Sequence, residues 1–86
     1  MMDVLKVDYI PGVNVTLFDV RLSESEVVVF SDCVNYVLKN CSDAQIEKLT
    51  ECSGKEELSW FLADLLGLMK SMEHKEYIPE RYKNLD

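Results

Sequence analysis

The chain reads as an α+β domain, with an N-terminal antiparallel β-hairpin packed on about three α-helices. Three observations predict it. Two β-rich, alternating runs flank Pro11-Gly12, three serines stand where helix caps belong, and apolar residues then recur at spacings of three and four. In VLKVDYI, Leu5, Val7 and Tyr9 share one face while Lys6 and Asp8 share the other. Pro11-Gly12 supplies the turn. VNVTLFDVRL follows, with Thr16, Phe18, Val20 and Leu22 on one side and Val13, Val15, Leu17, Asp19 and Arg21 on the other. A two-stranded sheet is marginal in water, so helices are expected to cover at least one of its faces.

Ser23-x-x-Glu26, Ser42-x-x-Gln45 and Ser53-x-x-Glu56 each match a capping box. In that motif the serine oxygen accepts from an orphan amide and the Glu or Gln side chain accepts from the cap's own N–H. The first helix is predicted over 24–39, carried by Val27, Phe30, Val34, Val37, Leu38 and Cys41. The VVVF within it favours strand by propensity, but the helical period continues through it. The second helix is short, about nine residues within SDAQIEKLTEC, with Ile46 and Leu49 turned inward. The third, over 54–73, carries the strongest stripe: Leu58, Phe61, Leu62, Leu65, Met69 and Met72. Trp60 falls off that stripe, so its ring lies either along the helix edge or outward as an aromatic anchor. Residues 1–76 then form one domain, and 77–86 a C-terminal tail, extended or partly ordered, which Tyr77, Ile78, Tyr82 and Leu85 can dock.

Composition narrows the function. At 86 residues there is room for one domain with a modest core, and a hydrophobic fraction of 48% with 29% charged residues is that of a soluble globular protein. No apolar run approaches the ~20 residues that span a bilayer, and MMDVLKVDYI does not read as a signal peptide. Cys33, Cys41 and Cys52 lack CxxC spacing and are odd in number. They are therefore expected as small buried hydrophobes of a protein in a reducing cytosol. His74, set among Glu73, Lys75 and Glu76, is assigned to the surface.

The net charge of −7 is carried by the body: 12 acidic and 5 basic residues occur up to Met69, and 4 of each thereafter. Binding to phosphate backbones rests on Lys and Arg clusters, so direct contact with nucleic acid or an anionic membrane is disfavoured. A basic protein partner fits better. The chain has no GxGxxG, phosphate loop, HExxH or DxDxDG segment, and its single histidine has no nucleophile beside it. No enzyme, cofactor or metal is expected, and a monomeric binding protein is.

Asp43, Glu47 and Glu51 recur every four residues, which stacks their carboxylates along one ridge of the second helix. Glu56 and Glu57 extend the ridge at the start of the third. Acidic residues at helix starts complement the helix dipole, which accounts for Asp43, Glu56 and Glu57 but not for Glu47 and Glu51. The expected partner surface is therefore Asp43, Glu47, Glu51, Glu56 and Glu57, with Trp60 as anchor.

In layout, LSESEVVVFSDCVNYVLKN leading through DAQIEKLTECSGKEELSWFLADLLGLM resembles small bacterial immunity proteins of contact-dependent growth inhibition and other polymorphic toxin systems. The likeness spans residues 22–69. It implies a non-enzymatic cytoplasmic inhibitor that binds one cognate toxin domain, often a basic nuclease, and blocks its active-site surface. A phage- or plasmid-encoded acidic inhibitor of a host nuclease would use the same carboxylates. A small dimeric adaptor would instead use Val13, Val15 and Leu17 of the hairpin.

Overall fold

A computed structural model describes residues 2–84. Strands β1 (Asp3–Ile10) and β2 (Val15–Arg21) form an antiparallel hairpin, and helices α1 (Glu24–Asn40), α2 (Asp43–Leu49) and α3 (Lys55–Lys70) follow. The α+β class predicted from the sequence is the class observed. Two 3₁₀ turns, Lys75–Tyr77 and Glu80–Tyr82, complete the described chain.

The hairpin turns through four residues, 11–14. Asn14 takes a left-handed backbone with φ 53°, a conformation that asparagine tolerates better than most residues. Its side-chain oxygen accepts from the Tyr9 hydroxyl at 2.6 Å, tying the turn to β1. Cross-strand pairs include Val4 with Val20, Val7 with Phe18 and Tyr9 with Thr16, and the register shifts between Val4 and Lys6. Leu5 is thus the extra residue of a bulge, which places Val4 on the face of Val7 and Tyr9. One face becomes Val4, Val7, Tyr9, Thr16, Phe18 and Val20. The other mixes Ile10, Val15 and Leu17 with Lys6, Asp8, Asp19 and Arg21.

Among the described residues, the expected cover for this sheet is missing. Every residue of both strands is exposed, and the apolar ones keep roughly 40–60% of their surface. The helices pack on one another, α1 against α3, and meet the hairpin chiefly at its base. There Val20 and Leu22 line a cleft of about 240 Å³ with Val27, Leu68 and Met72. Part of each helical stripe is buried instead against the other helices and the C-terminal segment, in two clusters around Val27, Met69 and Tyr82 and around Ile46, Cys52 and Leu58.

Two of the three predicted capping boxes form. Glu26 N–H donates to Ser23 Oγ at 3.2 Å and Ser23 N–H donates to Glu26 Oε1 at 3.1 Å. Ser42 and Gln45 repeat the exchange at 3.2 and 2.8 Å. The third does not form, because α3 begins with Gly54 as its N-cap and Ser53 Oγ donates instead to Glu57 Oε2 at 3.0 Å.

The core has two halves. Ile46, Cys52 and Leu58 bury one another at one end, with Val34, Val37 and Leu38 around them. Val27, Met69 and Tyr82 do so at the other, with Leu22, Leu66 and Ile78. Burying each large apolar side chain stabilises by about 1.5–3 kcal/mol. Tyr82 comes from the predicted tail, yet it is only 4% exposed. Its hydroxyl donates to Asp32 Oδ1 at 2.6 Å, and Arg81 clasps the same carboxylate through Nε at 3.0 Å and Nη2 at 2.6 Å. The segment after α3 is therefore docked on α1. Of the other proposed docking residues, Ile78 packs against the same core, Tyr77 is exposed, and Leu85 lies outside the described residues.

Candidate functional site

The sequence-predicted ridge divides into residues that hold the fold and residues that face solvent. α2 is two turns long and is anchored by Ile46, which is fully buried. Leu49 does not turn inward as expected; it is 71% exposed. It lies about 60° around the helix from Ile46 and is the last helical residue. There the chain leaves, Thr50 capping the end by donating from Oγ to the Ile46 carbonyl at 2.9 Å.

Asp43 is a structural cap rather than a free carboxylate. Its Oδ1 accepts from Lys55 N–H at 2.8 Å, so a side chain twelve residues upstream serves the start of α3. Gly54 permits that approach, since a Cβ there would stand 2.9 Å from the same oxygen. Glu57, half-buried, holds Ser53. Glu47, Glu51 and Glu56 are exposed, and Trp60 is 61% exposed, taking the outward of its two expected positions. The contact between Asp43 and Lys55 joins the starts of α2 and α3, which draws the acidic residues of both helix starts to one end of the body.

An open apolar groove of about 480 Å³ runs between α1 and α3, walled by Phe30, Val34, Phe61 and Leu65 over Cys52 and Leu58. Glu51 and Asp64 stand on its border. The sequence placed Phe30 and Phe61 in the core stripes, but with no sheet above them they remain 36% and 55% exposed. These groove residues and Asp64 were not foreseen as a site. The available signal was that Phe30 and Phe61 are the bulkiest members of their stripes, and so the hardest to cover.

Elsewhere, Asp32 and Glu26 are the carboxyls among the described residues that the packing clearly retunes. Hydrogen bonds from Arg81, then from Tyr82, hold Asp32 below the usual carboxylate range. Glu26 is lowered by the Ser23 N–H that it accepts. Burial, and then the Asp32 carboxylate, raise the Tyr82 phenol. Asp32, Arg81 and Tyr82 satisfy one another, and the Arg81 guanidinium lies 5.3 Å from the Tyr82 ring centre. They form a clasp that fixes the C-terminal segment. Cys52 is buried as expected and Cys41 partly so, whereas Cys33 is exposed, because it lies on the side of α1 away from α3 and the core. His74 lies on the surface, 3.3 Å from Glu76.

Among the described residues no cluster of three or more His, Cys, Asp or Glu is placed to hold a metal ion, and no helix is long and apolar enough to cross a membrane. What this surface offers chemically is an apolar slot with carboxylates beside it and an exposed indole nearby in sequence. Comparison with known proteins found no matching family model, no matching curated protein and no matching solved structure.

Proposed function

We propose that the protein is a non-enzymatic inhibitor of the immunity type, which binds a basic, nuclease-type toxin domain and blocks its active-site surface. The observation that carries this reading is the apolar groove of Phe30, Val34, Phe61 and Leu65 with Glu51 and Asp64 on its border. Residues 23–69 hold nine acidic and three basic side chains, so the helical body concentrates the negative charge of the molecule. Such a field steers a basic protein and speeds encounter by about 10 to 10³-fold at low salt. On contact, an apolar side chain of the partner fills the groove, and Lys or Arg residues beside it meet Glu47, Glu51, Glu56 and Asp64. Trp60 adds a large, outward-facing ring of the kind that dominates binding energy at interfaces. Asp43 belongs to this surface by position, but its carboxylate is engaged with Lys55.

The test is a pull-down from the source cell at low and high salt, followed by inhibition assays on the captured protein. A basic partner that is lost as salt rises is expected. Glu47→Lys with Glu51→Lys should slow association at least tenfold while leaving the fold intact, and Phe61→Ala should speed dissociation. Unchanged association, dissociation and inhibition in both variants would overturn the reading.

A further inference from the structure

We propose that the hairpin is a homodimerisation arm, and that its Val4, Val7, Tyr9, Phe18 and Val20 face is buried against the same face of a second copy. The proposal is independent of the inhibitor reading, since it concerns a surface on the other side of the Leu22-Ser23 joint. It replaces the sequence-based expectation of a monomer.

The first argument is area. A two-stranded sheet is at best marginally stable alone in water, yet this one has both faces exposed. Those five residues expose on the order of 500 Å², near the upper limit of the patch a typical monomer leaves bare. Two copies would bury up to roughly 1,000 Å² in all, the least that a specific interface uses. The second argument is charge. Residues 2–22 hold three acidic and two basic side chains, so the hairpin is nearly neutral in a chain of net charge −7. A basic partner gains little from such a surface. A second copy meets it with no charge of its own on the apolar face.

The bulge at Leu5 brings Val4 opposite Val20 and so completes a face without charge, on which Thr16 is joined by apolar and aromatic side chains, while Lys6, Asp8, Asp19 and Arg21 collect on the other. Lys6 and Asp8 pair there at 3.4 Å. The uncharged face is self-complementary under a two-fold axis, as an isologous contact requires. Sheets stacked face to face sit ~10 Å apart with interdigitated side chains, a spacing that Val, Tyr and Phe fill.

Sedimentation equilibrium on the full chain tests the idea. A reversible dimer is expected with a dissociation constant on the order of 10 µM, as befits a small interface. Phe18→Lys and Val7→Lys should each weaken it by roughly 30-fold or more. Leu17→Lys, on the charged face, should leave it within about threefold. Isotope-mixed NMR of the unmodified protein provides a second measurement that does not depend on how the lysine variants fold. Contacts between Tyr9, Val7 or Phe18 of one copy and the same residues of the other are expected. A monomer at all concentrations would overturn the proposal and leave the hairpin to a foreign partner. So would a dimer broken by Leu17→Lys but not by Phe18→Lys, or one whose intermolecular contacts join the hairpin to the helical groove or run edge to edge.

Discussion

Removing the Asp43 carboxylate should weaken α3 without touching it in sequence. Asp43→Ala deletes the acceptor of the Lys55 N–H, whose bond is 2.8 Å long. Gly54 brings no side-chain cap of its own, so that amide would be left to water. Loss of such a cap costs about 1 kcal/mol, within a range of roughly 0.5–2. For a domain of this size that lowers the melting temperature by about 4–8 °C. Gly54→Ala should be destabilising too. It places a poor N-cap residue, and its Cβ, 2.9 Å from Asp43 Oδ1, forces that oxygen off the amide. In the Asp43→Ala background only the first of these losses remains. The double variant should then be more stable than the sum of the singles by about 1 kcal/mol, the signature of directly coupled residues. Urea unfolding followed by circular dichroism measures all four proteins. If Asp43→Ala matches the parent and the two substitutions simply add within ~0.3 kcal/mol, the carboxylate is not the cap, and Asp43 returns to the candidate partner surface.

Two further outcomes follow from the packing. The Asp32 clasp sets a pH dependence. Its folded pKa is depressed by Arg81 and Tyr82, so its contribution is complete above the unfolded value near 4 and is lost as pH falls through the folded value. The raised Tyr82 phenol acts in the opposite window. Its contribution is complete below the unfolded value near 10 and is lost as pH climbs through the folded one. Denaturation of Asp32→Asn and Tyr82→Phe across pH should show each difference from the parent shrinking in its own window, the first in acid and the second in alkali. Met69 is fully buried and Leu49 is 71% exposed, so Met69→Ala should cost about 2–5 kcal/mol and Leu49→Ala less than ~0.5. Equal melting temperatures for those two variants would contradict the core described here.

What could be read in advance was local. The alternation of β1 and β2, Pro11-Gly12, and the boxes at Ser23 and Ser42 each depend on residues within a few positions of one another, and each formed, save that the bulge puts Val4 in the place read for Leu5. The box at Ser53 has the same local spacing but lost to an interaction from Asp43, which no short-range pattern contains. Tyr82 and Arg81 meet Asp32 from fifty and forty-nine residues away, so their segment read as a tail. The largest departure came from treating apolar periodicity as burial. Periodicity shows which side chains share a face, but not what covers that face. For Phe18, Phe30 and Phe61 nothing within the described chain does so fully. The same limit hid the groove, whose walls carry the ordinary spacing of a core stripe.

The joint between β2 and α1 has a mechanical consequence. It is two residues long, Leu22 and Ser23, and the strands beyond it extend for about 27 Å at the usual rise of 3.4 Å per residue. A swing of only 10° at the base would carry the Pro11-Gly12 tip by roughly 4–5 Å over such an arm. Leu22 packs against the Val27, Met69 and Tyr82 core and Ser23 is held in its capping box, so the direction of the arm is set by how these two residues seat on the helices. Any shift there is magnified at the far end, as at the tip of a long lever on a short post.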